Sequence, residues 1–387
     1  MTKLLSLVTI LAAATSTATA ASNGATPTAG NAGPAWTLDP SWPVGLKGFP
    51  KSTKFSAVAL ITTADGNTEV HVSVRQNSTR PIMAFDAKEG NFLYDWGDKH
   101  ISNVAGTWGA HGLRAQGNFV WVADIQEHTV KQFDARFLRD RVTGALIATV
   151  GTPNNAGGGT EPLQFGNCAD VATAPAGPDG GAFAGGVWVS DGDGGILNRV
   201  ARVATDASGV PSPLYGTPAR WALGGNASDT ADFHNPHSVA FHAPSGSLVV
   251  ADRANRRLAL VDAATGTHAG AWTCPGFGPP STQGKASPSA KSPWGVRSWK
   301  DAKTGKTFLA AAVAGWPADG TDQYVVVYEA DAPDLAKQGC KVVAQLPVDP
   351  KRCLTPHELE VDRTTGDIYL TCVTTGPSTV VRFNRSA

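Results

Sequence analysis

Four segments of the chain repeat one pattern of short strands and turns. Each has a short entry strand, a turn, an apolar strand that ends in aspartate in three of the four, and a further alternating strand. The repeats cover residues 111–133, 169–203, 237–261 and 357–383. Apolar runs of four to six residues bounded by Gly, Asp and Asn are typical of strands. The aspartate at the strand end is expected to bond backbone N–H groups of the turn, which is a structural role.

Two weaker units bring the number of repeats to six. Residues 55–85 precede the clear repeats, and residues 294–328 lie between the third and the fourth. The sequence therefore predicts an all-β fold, a six-bladed β-propeller. Residues 36–38 are expected to supply the outermost strand of the last blade and so close the ring. A β-sandwich and a parallel β-helix are the alternatives, but neither explains a block that returns with the same order of strands.

The start of the chain has the composition of an export signal. A lysine precedes an apolar run at residues 4–14, which is too short to span a membrane, and small residues follow it. We expect residues 1–20 to be a cleaved signal peptide and residues 21–34 a flexible leader. Residues 35–387 then form the propeller. The predicted localisation is secreted and extracellular, with no membrane partner.

The charge balance gives little indication of a macromolecular partner. The chain has 32 basic and 32 acidic residues, with no block of like charge. Proteins that bind nucleic acid usually carry a basic stripe, so we expect no nucleic-acid partner. A monomer that acts on a small-molecule or peptide substrate is the expected form.

The cysteines and three sequons fit a secreted glycoprotein. Five cysteines in an oxidising compartment predict one or two disulfide bonds and a leftover thiol, and their pairing stays open. The cysteines are Cys168, Cys274, Cys340, Cys353 and Cys372. The candidate glycosylation sites are Asn77, Asn226 and Asn384.

Three histidines hold the same position in different repeats. His111, His237 and His357 each stand at the start of an innermost strand, and equivalent positions in a propeller converge on the axis. Three imidazoles so placed predict a divalent metal site, with zinc the natural choice and a fourth position left open. A structural role for all three is the alternative. The other histidines share no register and are expected to be structural or exposed: His71, His100, His128, His234, His242 and His268.

The segments around these histidines resemble those of a known enzyme family. Residues 110–113, 236–239 and 356–359, together with residues 189–192 and 250–253, are similar to peptidyl-α-hydroxyglycine α-amidating lyase, an NHL-repeat propeller. The similarity runs in the same blade order across nearly the whole mature chain. It implies a catalytic zinc on the three histidines and a structural calcium. It also implies a carbon–nitrogen lyase that converts a peptidyl-hydroxyglycine into a peptide amide and glyoxylate.

The same resemblance implies further site residues. It implies a catalytic arginine at Arg75, and calcium donors at the backbone of Val58 and Leu113 and at the carboxylate of Glu358. A glycan on Asn77 would crowd Arg75, so those two predictions compete.

The third repeat departs from the family where the family has a tyrosine. Residues 191–199 contain no tyrosine, and Asp193 is the candidate proton acceptor, although a carboxylate is a far weaker base than a phenolate. Three functions therefore stay open. They are a metal-dependent carbon–nitrogen lyase, a metal-binding propeller with another, hydrolytic activity, and a non-catalytic secreted binding module.

Overall fold

The computed structural model describes most of the chain after residue 33. The described residues are 34–46, 53–75, 80–102, 109–140, 145–175, 181–211, 216–224, 233–278, 291–315, 323–373 and 380–386. The predicted signal peptide, the leader up to residue 33 and the sequons at Asn77 and Asn226 lie outside them. Among the described residues, no helix has the length and apolar character needed to cross a membrane.

The described residues form six four-stranded antiparallel sheets arranged as blades. The strands in chain order begin with β1 (Trp36–Leu38), followed by β2 (Lys54–Thr62), β3 (Thr68–Arg75), β4 (Ile82–Asp86) and β5 (Phe92–Trp96) of blade 1. Blade 2 contains β6 (Ala110–Gln116), β7 (Phe119–Asp124), β8 (Thr129–Asp134) and β9 (Leu146–Val150). Blade 3 contains β10 (Cys168–Thr173), β11 (Val187–Asp191), β12 (Arg199–Val203) and β13 (Ala219–Gly224).

The second half of the ring is built in the same way. Blade 4 contains β14 (Pro236–His242), β15 (Ser247–Asp252), β16 (Arg257–Asp262) and β17 (His268–Trp272). Blade 5 contains β18 (Ser292–Lys300), β19 (Thr307–Ala314), β20 (Tyr324–Glu329) and β21 (Lys341–Pro347), with the short helix α1 (Leu335–Gln338) before β21. Blade 6 contains β22 (Pro356–Val361), β23 (Ile368–Cys372) and β24 (Val380–Arg385).

The first strand of each blade is its innermost strand, and these strands contact one another in a closed ring. The contacts run from β2 through β6, β10, β14, β18 and β22 and return to β2. Six apolar clusters fill the spaces between neighbouring blades. Because both faces of most blades are covered, the central strands have nearly continuous apolar sequences, which is why the repeat is visible in the sequence. The predicted six-bladed β-propeller is confirmed.

Blade 6 is completed by β1, as the sequence predicts. Trp36 lies opposite Arg385 and Leu38 lies opposite Phe383 in an antiparallel pair. The candidate glycosylation site Asn384 belongs to this pair and lies opposite Thr37. Its amide nitrogen is 3.3 Å from Asp39 Oδ2. Glycosylation of Asn384 stays a prediction.

The aspartate that ends the second strand of blades 2, 3 and 4 has a structural role, because its carboxylate accepts hydrogen bonds from the backbone. Asp191 Oδ1 accepts a hydrogen bond from the backbone N–H of Asn167 at 2.8 Å, and Asp252 accepts one from the N–H of His234 at 2.7 Å. Asp124 accepts one from the N–H of Ser102 at 2.8 Å. The sequence predicts bonds to the turn, whereas these bonds go mainly to the segment that enters the innermost strand of the same blade. Each aspartate thus fixes where that strand begins.

The cysteines form two disulfide bonds. Cys274 pairs with Cys340 and joins blade 4 to blade 5, while Cys353 pairs with Cys372 within blade 6. Cys168 is a buried free thiol. Two bonds and one thiol agree with the sequence prediction.

Removing the longer disulfide should destabilise the propeller more than removing the shorter one. The bonds span 66 and 19 positions, and loop closure in the unfolded chain predicts losses of about 4 and about 3 kcal/mol. Denaturant unfolding of Cys274→Ala/Cys340→Ala and Cys353→Ala/Cys372→Ala measures both. Cys168→Ala, which breaks no covalent bond, is the control. Equal unfolding free energies for the control and both double variants would contradict the expectation.

Candidate metal centre

The three histidines are carried by alternate blades at one level of the axis. Each is the second residue of an innermost strand, in β6, β14 and β22. In each strand the pairing register shifts around the histidine. A β-bulge of this kind takes a residue out of the regular ladder and re-aims its side chain. The bulge explains why His111, His237 and His357 turn towards the axis.

The three imidazole rings lie in one buried cluster. Their centroids are 4.9 Å apart for His111 and His237, 4.8 Å for His111 and His357, and 4.6 Å for His237 and His357. One ring nitrogen from each lies within 4.8 Å of the others. All three side chains are buried. The convergence that the sequence register predicts is therefore present.

Each ring is oriented by a backbone carbonyl of the next blade. His111 Nδ1 lies 2.8 Å from Ala169 O, His237 Nδ1 lies 2.9 Å from Trp294 O, and His357 Nδ1 lies 2.5 Å from Ser56 O. A carbonyl oxygen only accepts, so each Nδ1 carries the hydrogen and a neutral ring leaves Nε2 with its lone pair.

The Nε2 atoms have the chemistry of metal ligands. Those of His111 and His237 are buried and have no hydrogen-bond partner. A buried polar atom without a partner costs about 1–3 kcal/mol. Histidine ligands commonly donate their other ring N–H to a carbonyl group, as these three do. The cluster therefore fits zinc, with His111, His237 and His357 as its holders.

Asp193 lies beside the histidine cluster, in a short 3₁₀ turn (Asp193–Gly195) that follows β11. Its Oδ2 is 3.3 Å from His111 Nε2, and its Oδ1 is 3.5 Å from Arg253 Nη1. Burial alone would raise the pKa of Asp193, but the groups around it, the Arg253 guanidinium among them, hold it well below its usual range. Asp193 is thus a carboxylate anion, and a weak base, at neutral pH.

Two arginines, the buried Arg75 and the half-buried Arg253, complete this end of the axis. Arg75 ends β3, and burial lowers its pKa to about 10, with Asp193 acting in the opposite direction. Arg253 follows β15 and stacks on Trp294, with its guanidinium carbon 4.2 Å from the ring centroid. Arg75 also lowers the pKa of His357. Both arginines are protonated at neutral pH.

Arg253 is a site residue that the sequence reasoning does not single out. The sequence feature that could have indicated it is its position in the repeat. Arg253 directly follows the aspartate that ends the second strand of blade 4, and blades 2 and 3 have Ile125 and Gly192 at that position. A basic residue at that point of a turn looks like a surface charge until the blades are assembled.

Two mammalian proteins are similar to this chain over most of its length. NHL repeat-containing protein 3 of Mus musculus is 29% identical over 347 residues, which cover 87% of this chain and 81% of that protein. The Homo sapiens protein of the same name is 28% identical over 341 residues, covering 87% and 80%. This chain is a six-bladed β-propeller of the NHL-repeat type. No protein-family model matches it.

Solved structures support the fold of this NHL-repeat propeller and nothing finer. The PQQ-bound aldose sugar dehydrogenase of Streptomyces coelicolor superposes with a TM-score of 0.52 over 92% of this chain and 99% of that one. The two sequences are 12% identical. At that identity the likeness concerns architecture alone.

Below the histidines, the axis of the NHL-repeat propeller contains the implied calcium donors. Val58, Leu113 and Glu358 belong to the innermost strands β2, β6 and β22. Glu358 is fully buried, and its Oε2 lies 3.2 Å from Arg297 Nη2. Its Oε1 has no hydrogen-bond partner.

Glu358 belongs to a network of five charged side chains, of which four are buried and Glu360 is half-buried. Arg297 Nη1 lies 2.9 Å from Asp170 Oδ2, and Arg114 Nη1 lies 2.8 Å from Glu360 Oε2. Three carboxylates face two guanidinium groups, which leaves one excess negative charge. Burial and the neighbouring Asp170 raise the pKa of Glu358 well above its usual range. The hard oxygen donors and the excess charge fit a calcium ion at Glu358, and a proton would balance the same charge.

Proposed function

We propose that this propeller is a zinc-dependent carbon–nitrogen lyase acting on a peptidyl-α-hydroxyglycine or a related α-hydroxy amide. The supporting observation is the convergence of three buried imidazoles with oriented rings beside the buried Arg75 and the half-buried Arg253. Zinc held by His111, His237 and His357 would supply a Lewis acid for the substrate hydroxyl oxygen. A calcium ion at Val58, Leu113 and Glu358 would have a structural role.

The two arginines account for recognition of the substrate. An α-hydroxyglycine ends in a carboxylate, and Arg75 and Arg253 place two fixed positive charges beside the histidine cluster. Trp294 holds the Arg253 guanidinium by a cation–π contact. Such preorganised charges orient the substrate and stabilise negative charge that develops in the transition state.

The reaction requires one proton to move from oxygen to nitrogen. The hydroxyl group loses its proton and becomes the carbonyl of glyoxylate, while the C–N bond breaks and the nitrogen takes the electron pair and a proton. Asp193, whose Oδ2 lies 3.3 Å from His111 Nε2, would accept the hydroxyl proton. A carboxylate is a far weaker base than a phenolate, so slower proton transfer than a tyrosine would give is expected.

A hydrolytic reaction is the second candidate, and the same residue favours it. Asp193 stands where the lyase family that the sequence resembles has a tyrosine, and a carboxylate can serve as the general base for attack by water on a lactone or ester. Product analysis separates the two reactions, because only the lyase releases glyoxylate without consuming water.

Secretion is a further part of the proposal. Two disulfide bonds fit an oxidising compartment, where the peptide substrate would also be found. Detection of the protein in culture medium, processed near residue 20, tests this part.

Substitution of either arginine should lower kcat/KM for a peptidyl-α-hydroxyglycine by about 100-fold or more. Loss of one preorganised charged donor typically costs about that much. Glyoxylate and peptide amide are measured with the zinc-loaded full chain and with Arg75→Ala and Arg253→Ala. Arg220→Ala, which removes an exposed arginine of β13, is the control and should keep the wild-type rate.

Two results would contradict the lyase proposal in different ways. A protein that contains one zinc per chain but releases no glyoxylate is not this lyase, and turnover of an ester or lactone by it would support the hydrolytic candidate. A protein that binds no zinc contradicts both enzymatic functions.

A further inference from the structure

We propose that Asp193 is a fourth protein ligand of the zinc, so that the resting site is a closed three-histidine, one-carboxylate centre. This inference rests on the proposed zinc site of the three histidines. It changes the expected character of the site, because a three-histidine centre with an open position would be ready for substrate, whereas a four-ligand centre is not.

The separation of Asp193 from His111 supports the assignment. Two ligand atoms at about 2.0–2.1 Å from one tetrahedral zinc ion lie about 3.3 Å apart. His111 Nε2 and Asp193 Oδ2 are 3.3 Å apart. The contact has the spacing of two neighbouring ligands.

The hydrogen bonds of the His111 ring, and their absence between His111 Nε2 and Asp193, also support the assignment. His111 Nδ1 faces the carbonyl of Ala169 at 2.8 Å, so its hydrogen is directed there and Nε2 presents a lone pair. Nε2 has no hydrogen-bond partner even though Asp193 Oδ2 is close. Asp193 is partly exposed, but two lone pairs that face each other at 3.3 Å still repel unless a cation lies between them.

The turn around Asp193 presents one carboxylate oxygen and restrains the other. The side-chain amide of Asn167 donates to the backbone carbonyl of Asp193 at 2.8 Å and fixes the turn. Oδ1 accepts from the backbone N–H of Gly194 at 3.0 Å and faces Arg253 at 3.5 Å. Gly194 has a φ of 72°, a conformation that glycine adopts without strain. Only Oδ2 is left for the metal, so the ligand is monodentate.

With a carboxylate as fourth ligand, the substrate could reach the metal only by changing the coordination of the metal. A substrate oxygen must displace Asp193 Oδ2 or join it. Arg253, already beside Oδ1, is placed to hold the displaced carboxylate. Asp193 then becomes available as a proton acceptor only after the substrate has bound. It acts first as a metal ligand and afterwards as a base.

Metal affinity tests the assignment without any substrate. We expect Asp193→Asn and Asp193→Ala to weaken zinc binding at least about 10-fold, measured by competition with a chromogenic chelator. In the cobalt-substituted protein, the visible spectrum should change in both variants. Added azide should perturb the spectrum of Asp193→Ala but not that of the wild type. Glu127→Gln, which removes a carboxylate from another turn and leaves the histidines intact, is the control.

The outcomes separate this inference from the proposed function. Unchanged zinc affinity and an unchanged cobalt spectrum in Asp193→Asn would show that Asp193 is not a ligand, while the three-histidine site would stand. Azide binding to the wild-type cobalt protein, with a spectrum like that of Asp193→Ala, would also contradict the assignment. Absence of zinc binding in the wild type would overturn the proposed function itself. Circular dichroism of each variant verifies that the propeller is folded.

Discussion

His237→Ala should abolish stoichiometric zinc binding by the full chain. His237 supplies one of three converging Nε2 atoms, and its ring is fixed by the carbonyl of Trp294. Loss of an outer-shell partner alone costs about 10–100-fold in metal affinity, so loss of a ligand should cost at least about 100-fold. Elemental analysis and chelator competition on the purified protein measure the change.

His268→Ala is the matched control for this variant. His268 belongs to the same blade, but it lies on the outermost strand β17, away from the axis. The control should keep about one zinc per chain. Equal zinc content in His237→Ala and His268→Ala would show that the three histidines are not the zinc site, even if the protein contains metal.

Arg297→Met should be among the most destabilising single substitutions in the molecule. Arg297 is buried, and its guanidinium contacts Asp170, Glu358 and Glu360. Methionine keeps much of the volume but leaves two buried carboxylates and the half-buried Glu360 facing Arg114 alone. Breaking a buried charge network from one side costs about 3–5 kcal/mol. Denaturant unfolding at neutral pH measures this loss.

Two comparisons make the Arg297 result specific to buried charge. Arg136→Met removes an exposed arginine that pairs with Asp134, and a much smaller loss of unfolding free energy is expected. Adding Glu358→Gln to Arg297→Met should recover part of the lost unfolding free energy, because it removes one unbalanced carboxylate. Additive losses in the double variant would mean that Arg297 and Glu358 do not act as a unit.

The fold could be predicted from the sequence because the same local sequence features recur in the blades. Apolar runs of strand length, turn residues between them and the repeated aspartates at Asp124, Asp191 and Asp252 are all local features. The closing strand at residues 36–38 followed from the requirement that no blade be left with an open edge. None of these inferences needs knowledge of distances between blades.

The site could be predicted only where repeat register determines position. His111, His237 and His357 occupy equivalent places, so symmetry alone brings them together. Arg253 lies in a turn whose path over the axis depends on the assembled blades. Arg114 and Arg297 lie in strands where charged residues usually face water, so their burial on the axis shows only in three dimensions.

The shared last blade sets the order in which the protein can be completed. Blades 1 to 5 are each made from one continuous stretch, so each can form from hairpins as soon as it leaves the ribosome. Blade 6 joins β1 to β24, and Asp39 contacts Asn384 across 345 positions of sequence. During synthesis β1 therefore stays unpaired while five blades assemble, because its partner β24 is synthesised last. Until β24 arrives, the sides of blades 1 and 5 that blade 6 later covers stay exposed, and in that interval the chain most needs protection from aggregation.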